Sequence, residues 1–437
     1  MSLPSTIPEE ALTRPQPIPP LAPQARRRLK LADRARVVDR QASPGYAVWE
    51  LTLRCDLACT HCSSRAGRAR PDELTTPEAL DLVEQLGDLG ILEVTLIGGE
   101  AYLRSDWLLI VEAIRRRGME CTMVSGGRGI TRERARAARD AGLMSVSISV
   151  DGAPVTHDVL RGLHGSHAAA MAAMGALVAE GVPVSANTQI GRRNRKELED
   201  VFVLVTEAGA HSWQIQLTVA AGRAADDPSI LLEPYHLLEV MPAIARIKTR
   251  ADAADLHIWP GNNLGYFGPF EALLRGHLPG GRRGSCGAGR FSIGIESDGS
   301  IKACPSLPSD AYVGGNVRDD RLIDIWQRAE PLRFTRGDRM PELWGHCASC
   351  YHAGDCLAGC SWTAHSLFAR RGNNPFCHHR ALELLRRARR ERLVRTAPAP
   401  GKPFDHARFE IVEENWPPAE LERARAVATG KEDWLLE

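Results

Sequence analysis

The sequence predicts an α/β fold in which a parallel sheet carries helices on its outside and is followed by a small cysteine-rich region. Three observations lead there. Between residues 45 and 260, six apolar runs of strand length alternate with amphipathic stretches of helix length. Glycine-containing or polar motifs directly follow the first four of these runs. Seven of the eleven cysteines are gathered between positions 286 and 377.

Residues 1–44 are rich in proline and arginine and read as a flexible lead followed by one basic helix, with Arg26-Arg27-Arg28 as a solvated face. The strands are expected at 47–53, 92–97, 120–124, 145–150, 182–189 and 212–218. A helix should start at Thr75 or Thr76, because Pro77 falls in its first turn and Glu78 completes a capping box with Thr75. Further helices are expected at 106–117, 132–141, 167–179 and 196–208, several closed by glycines such as Gly118, Gly142 and Gly181. The stretch from Trp259 to Phe267 reads as a junction that either lines a pocket or packs between domains. These signals divide the chain into the lead, the sheet domain (45–260), a cysteine-rich domain (261–385) and a polar helical tail (386–437), whose basic run from Arg386 to Arg392 reads as a solvated helix face.

Composition excludes several classes. Lys plus Arg total 55 against 54 Asp plus Glu, so nothing in the charge balance argues for nucleic-acid or membrane-surface binding. No run of about eighteen apolar residues is present, and the opening residues lack a signal core. Eleven cysteines in a chain this large and without a signal suggest thiolate chemistry in a reducing cytoplasm rather than a disulfide scaffold.

The first cysteine group is Cys55-x3-Cys59-x2-Cys62, placed directly after the first strand. Cys59-x-x-Cys62 alone fits a zinc knuckle or a redox dithiol. With Cys55 added, three thiolates on one short loop suit a 4Fe-4S cluster, which usually takes four, and leave one iron for a small molecule. The second group runs Cys286, twelve residues, Gly299, four residues, Cys304, then Cys347-x2-Cys350-x5-Cys356-x3-Cys360 and finally Cys377. Two zinc ribbons would account for sets of four cysteines but not for the triplet or the glycine spacing.

Together these motifs resemble the radical S-adenosylmethionine (SAM) enzymes, and the second group resembles the seven-cysteine SPASM domain that follows many of them, over roughly residues 46–385. The resemblance implies a partial (β/α)6 barrel with its functional loops at the C-terminal ends of the strands. It implies three 4Fe-4S clusters. Cys55, Cys59 and Cys62 would hold the one that binds SAM, Cys286, Cys304 and Cys360 the nearer auxiliary cluster, and Cys347, Cys350, Cys356 and Cys377 the farther one. Cys121 is left over as a core thiol, although the nearer cluster then lacks a fourth cysteine and would leave an iron open or use Ser292, a residue from elsewhere, or Cys121 itself.

For the cosubstrate, the resemblance places His61 against adenine and Gly98, Gly99 and Glu100 at the methionyl end, where glycines permit close approach and Glu100 accepts from the ammonium. Ser125 would contact the ribose or carboxylate. Ser149 and Asp151 match the motif of the following strand, Arg161 would pair with the methionyl carboxylate, and Asn187 would touch adenine. The sequence departs from the family pattern at Ala101, where proline is common, and at Ser125-Gly126-Gly127, which omits an asparagine. No residue stands out as a catalytic base.

The style of Trp49-Glu-Leu-Thr and the Cys-x3-Cys-x-His-Cys loop is similar to mycofactocin and pyrroloquinoline quinone maturases. This implies oxidative modification of a ribosomally made peptide, by crosslinking or decarboxylation, through a 5′-deoxyadenosyl radical. The expected partners are a precursor peptide, a separate peptide-recognition protein and a flavodoxin- or ferredoxin-type reductant. A radical SAM dehydrogenase or decarboxylase acting on a small molecule is the alternative, and an iron–sulfur electron carrier would need neither Glu100 nor an open iron.

Overall fold

The computed structural model describes residues 30–278, 281 and 284–428. Seven strands run parallel and in chain order: β1 (Tyr46–Thr52), β2 (Glu93–Gly98), β3 (Glu120–Ser125), β4 (Ser145–Ser149), β5 (Val184–Ile190), β6 (Ser212–Leu217) and β7 (His257–Pro260). The first six fall where the apolar runs place them. Helices at Thr76–Leu89, Trp107–Arg116, Arg132–Asp140, Ser166–Ala179 and Leu198–Glu207 also agree with expectation, and the capping box of Thr75 with Glu78 is formed. The strand period explains the layering. Ala47, Trp49 and Leu51 are buried in the hydrophobic core, whereas the alternate residues Tyr46, Val48 and Glu50 line a cavity that also receives side chains from β5 and β6. The sheet is thus wrapped round its own interior, as a partial barrel requires.

Within residues 45–260, two α-helices and one strand were not anticipated: Pro154–Arg161, Leu237–Ala253 and β7. The first has only eight residues. The second carries Pro242 inside it, a residue that reads locally as a breaker, yet most of its length is buried.

The cysteine-rich region does not begin as a separate body. Its first strand, β8 (Ser292–Ile295), pairs parallel with β1, and β9 (Ser300–Lys302) and β10 (Val313–Asn316) continue the same ten-stranded sheet antiparallel. Gly299 turns between β8 and β9 at φ +87°, where a Cβ would stand 2.9 Å from both Leu74 and Val317. That turn gives the Cys-x12-Gly-x4-Cys spacing a physical basis, because it sends Cys304 back toward Cys286.

The tail corrects an expectation. Its helix ends at Arg386, and the chain then forms an antiparallel pair, β11 (Arg389–Ala397) and β12 (Arg408–Asn415), before a last helix at Pro418–Ala428. The basic run is a strand because an acidic run twenty-odd residues later faces it: Arg389 Nε donates to Glu413 at 2.8 Å and Arg390 Nε to Glu414 at 2.8 Å. At the other end, the expected basic lead falls largely outside the described residues. Its described part holds the short helix Val37–Gln41, whose buried Asp39 meets Arg36, Arg333 and Arg336.

Candidate active site

The C-terminal ends of the strands open on a cavity of about 460 Å³. Both cysteine groups contribute to it. Cys55, Cys59 and Cys62 line one side, and Cys286, Cys304 and Cys360 another. Cys347, Cys350, Cys356 and Cys377 surround a separate small space with Tyr266, Phe267, His352 and His379. Cys121 is fully buried in the hydrophobic core and lines neither space. Ser292 lines the main cavity beside the second trio.

The glycine pair at the end of β2 is fixed by the chain itself. A Cβ on Gly98 would lie 2.2 Å from the Thr52 carbonyl oxygen, and one on Gly99 would lie 2.1 Å from that of Arg54. Gly99 N–H donates to Thr52 O at 2.7 Å and Glu100 N–H to Arg54 O at 2.8 Å. These residues therefore clamp the base of the cysteine loop, a closer approach than the one expected toward a ligand.

Glu100 is buried and held at both oxygens: Ser125 Oγ donates to Oε2 at 2.6 Å and Gly126 N–H to Oε1 at 2.7 Å. Burial pushes its carboxyl up to about 7, against the lowering effect of those two bonds. An ammonium brought beside it would favour the charged form.

Behind the cavity wall, Asp151 is fully buried and gathers three partners. Arg161 Nη2 stands 2.6 Å and His61 Nε2 3.2 Å from its Oδ2, and Gln189 N–H donates to Oδ1 at 2.9 Å. Although burial opposes ionisation, Arg161 and His61 hold Asp151 well below the usual carboxylate range. Of the nine residues expected at the cosubstrate, His61, Gly98, Gly99, Glu100, Ser125, Ser149, Arg161 and Asn187 line the cavity, whereas Asp151 supports two of them from behind.

The thiols are poised differently. Burial, together with Cys59 and Glu100, raises Cys55, and burial raises Cys59 against the pull of Arg161, whose Nη1 donates to its Sγ at 3.7 Å. Cys62 is half-buried, and Arg223 and Ser64 outweigh the desolvation there and lower it. Burial pushes Cys304 up to about 12. Iron binding at these positions must therefore displace protons.

The donor set suits an iron–sulfur cluster with a charged small molecule beside it. Thiols converge from one loop, and among the described residues three buried nitrogens at the cavity, Arg161 Nε, His61 Nδ1 and Trp362 Nε1, have no hydrogen-bond partner.

Sequence reasoning missed Arg223, Phe404 and the glutamines of an amide wall, although it placed Asn187 at the site and read the 259–267 stretch as a candidate pocket lining. Arg223 follows β6 and braces the cysteine loop, its Nε donating to Cys59 O at 2.6 Å and its Nη1 to Ala66 O at 3.1 Å. A wall of neutral amides is formed by Asn187 and Gln189 of β5, Gln214 and Gln216 of β6, and Asn262 and Asn263 after β7. Its signal was present, since polar residues two apart in a strand buried on its other face must point inward. Phe404 comes from the tail and gave no signal.

Family models match residues 49–205 as the radical SAM superfamily and residues 286–351 as the SPASM iron–sulfur cluster-binding domain. The AdoMet-dependent heme synthase of Nitratidesulfovibrio vulgaris is 30% identical over 355 residues, covering 76% of this chain and 91% of the relative. This is a radical SAM enzyme with a SPASM domain. The radical SAM chain is also 31% identical to mycofactocin maturase MftC of Mycobacterium ulcerans over 324 residues (73% of this chain, 83% of the relative) and 27% identical to the PqqA peptide cyclase of Rhizobium meliloti over 346 residues (77% and 87%). Iron–sulfur clusters and SAM follow from that membership.

Proposed function

We propose that this radical SAM enzyme oxidatively modifies a ribosomally made peptide. The observation that carries the reading is the amide wall. Asn187 Nδ2 donates to Gln214 Oε1 at 3.3 Å and Gln216 Nε2 to Asn187 Oδ1 at 3.3 Å, which leaves these side chains with further donors and acceptors for a substrate. Paired neutral donors and acceptors match the groups of a peptide backbone. A tetrapyrrole rich in carboxylates would call for cations. Among the described residues the cavity is lined by two arginines, Arg161 and Arg223, and both are engaged with the cysteine loop or Asp151. The similarity to a peptide cyclase and a maturase points the same way, while the heme synthase similarity keeps decarboxylation of a small molecule as the second reading.

When bound, the first cluster and SAM supply a 5′-deoxyadenosyl radical for hydrogen abstraction. The cysteine triplet would hold that cluster, Glu100 the methionyl ammonium, and Arg161 and His61 the remaining polar edge. The amide wall would orient the peptide. Cys286, Cys304 and Cys360 share the cavity, so a cluster there would border the substrate and accept the second electron of a crosslink or decarboxylation. The farther set would complete three clusters, and a flavodoxin- or ferredoxin-type protein would supply electrons in the cytoplasm. A separate recognition protein would deliver the peptide. No helix among the described residues is long and apolar enough to cross a membrane.

The test uses enzyme reconstituted without oxygen, which should carry about twelve irons if all three clusters form. With SAM, reductant and a synthetic peptide encoded beside its gene, the peptide should lose two hydrogens for a crosslink, or carbon dioxide together with two hydrogens for an oxidative decarboxylation, by mass. Turnover of a carboxylated tetrapyrrole with no change in the peptide would replace the first reading by the second.

A further inference from the structure

The β11–β12 hairpin brings its connecting loop, residues 398–407, back to the cysteine triplet. Phe404 N–H donates to Ser63 O at 3.1 Å, one residue past Cys62, and Gly222 N–H donates to Asp405 O at 2.9 Å. Ala221 and His406 form an antiparallel bridge. The Asp405 carboxylate accepts from Arg65 Nε at 2.9 Å and folds the loop on itself by accepting from the N–H groups of Gly401 and Lys402 at 2.5 and 2.9 Å. Arg65 in turn grips Asp226. Two remote parts of the chain, residues 63–65 and 221–226, thus clamp one loop.

What the clamp presents is an aromatic ring. Phe404 lines the cavity with only 6% of its surface exposed, and the Lys302 ammonium stands 3.8 Å from the ring centroid. Its backbone has φ +56°, a left-handed conformation that glycine or asparagine adopts at less cost. A phenylalanine kept there is kept for its side chain.

We propose that the hairpin loop is a wall of the catalytic chamber, with Phe404 as the specificity-determining residue that closes the cavity beside the first cysteine triplet and limits the size of the group admitted there. The inference rests on radical chemistry in this cavity, which family membership supplies, and not on the substrate being a peptide.

The test needs no peptide. Reconstituted parent, Phe404→Ala, Phe404→Leu and Asp405→Ala would be compared for iron content, for the rate at which a bulky iron chelator strips iron without oxygen, and for 5′-deoxyadenosine formation in the presence of perdeuterated propan-2-ol or cyclohexanol. All four should start with the same iron content. Phe404→Ala should lose iron several-fold faster, Phe404→Leu at close to the parent rate, and Asp405→Ala roughly tenfold faster, because a charge-assisted contact holding the loop is gone. SAM should slow the leak in Phe404→Ala by occupying the opened space. Deuterium from cyclohexanol should enter 5′-deoxyadenosine in Phe404→Ala and not in the parent. Iron loss from Phe404→Ala at the parent rate, a leak that SAM leaves unchanged, or cyclohexanol transfer absent from Phe404→Ala would overturn the proposal. So would equal leaks in the Ala and Leu variants, because the loop would then have come loose rather than lost a wall.

Discussion

Arg161 shows how a residue legible in sequence acquires its meaning only from its neighbours. The resemblance pointed to a carboxylate partner, and the structure supplies one from within, Asp151, while leaving Nε buried without a hydrogen bond among the described residues. A guanidinium has five donors, so a protein carboxylate and a ligand can share it. Glu100 is likewise held from one side by Ser125 and Gly126. Each of Glu100→Ala and Arg161→Ala should weaken SAM binding about tenfold to a hundredfold at unchanged iron content, since each removes one charge-assisted contact. Equilibrium dialysis of the reconstituted variants would measure this, and parent-like affinity in both would move the cosubstrate elsewhere in the cavity. The cysteines and glycines were readable because their chemistry or stereochemistry is nearly unique. The glutamines of the wall were not, because an amide side chain gains a role only from the face on which it falls.

Elements were legible where their cause is local. Strands β1 to β6 announce themselves by short apolar runs, and the helix at Thr76 by its capping box. The tail hairpin depends on charges more than twenty residues apart meeting across a turn, and no window-based reading contains both sides. The short helix at Val37 is a similar case. Asp39 is fully buried beside Arg36, Arg333 and Arg336, and although burial acts the other way, Arg36 and Arg333 hold its carboxyl down at about 2. Asp39→Ala would take from the buried Arg336 its countercharge and from Arg333 the nearer of its two, and should cost about 3–5 kcal/mol. The denaturation midpoint of the reconstituted variant would register the loss, and an unchanged midpoint would mean that this helix does not fasten the cysteine-rich region to the rest.

For the whole molecule, the consequence lies in the seam between β1 and β8. The alternating pattern gave the sheet, and the cysteine spacing gave the second region, but neither showed that one continues the other, because pairing across nearly 250 residues leaves no local trace. A chain stopped at residue 285 would keep every strand of the barrel yet bare the backbone donors and acceptors of β1 along one flank. Such an open rim invites pairing with other copies, so the truncated protein should precipitate or associate where the full chain does not, as sedimentation of the two would show. A soluble, monomeric fragment would mean that the barrel can end at β1 without harm. The seam also makes the two cysteine-bearing halves a single mechanical part: the spacing between the two thiol trios that face the cavity is set by a hydrogen-bonded ladder, and the halves could swing apart only by breaking it.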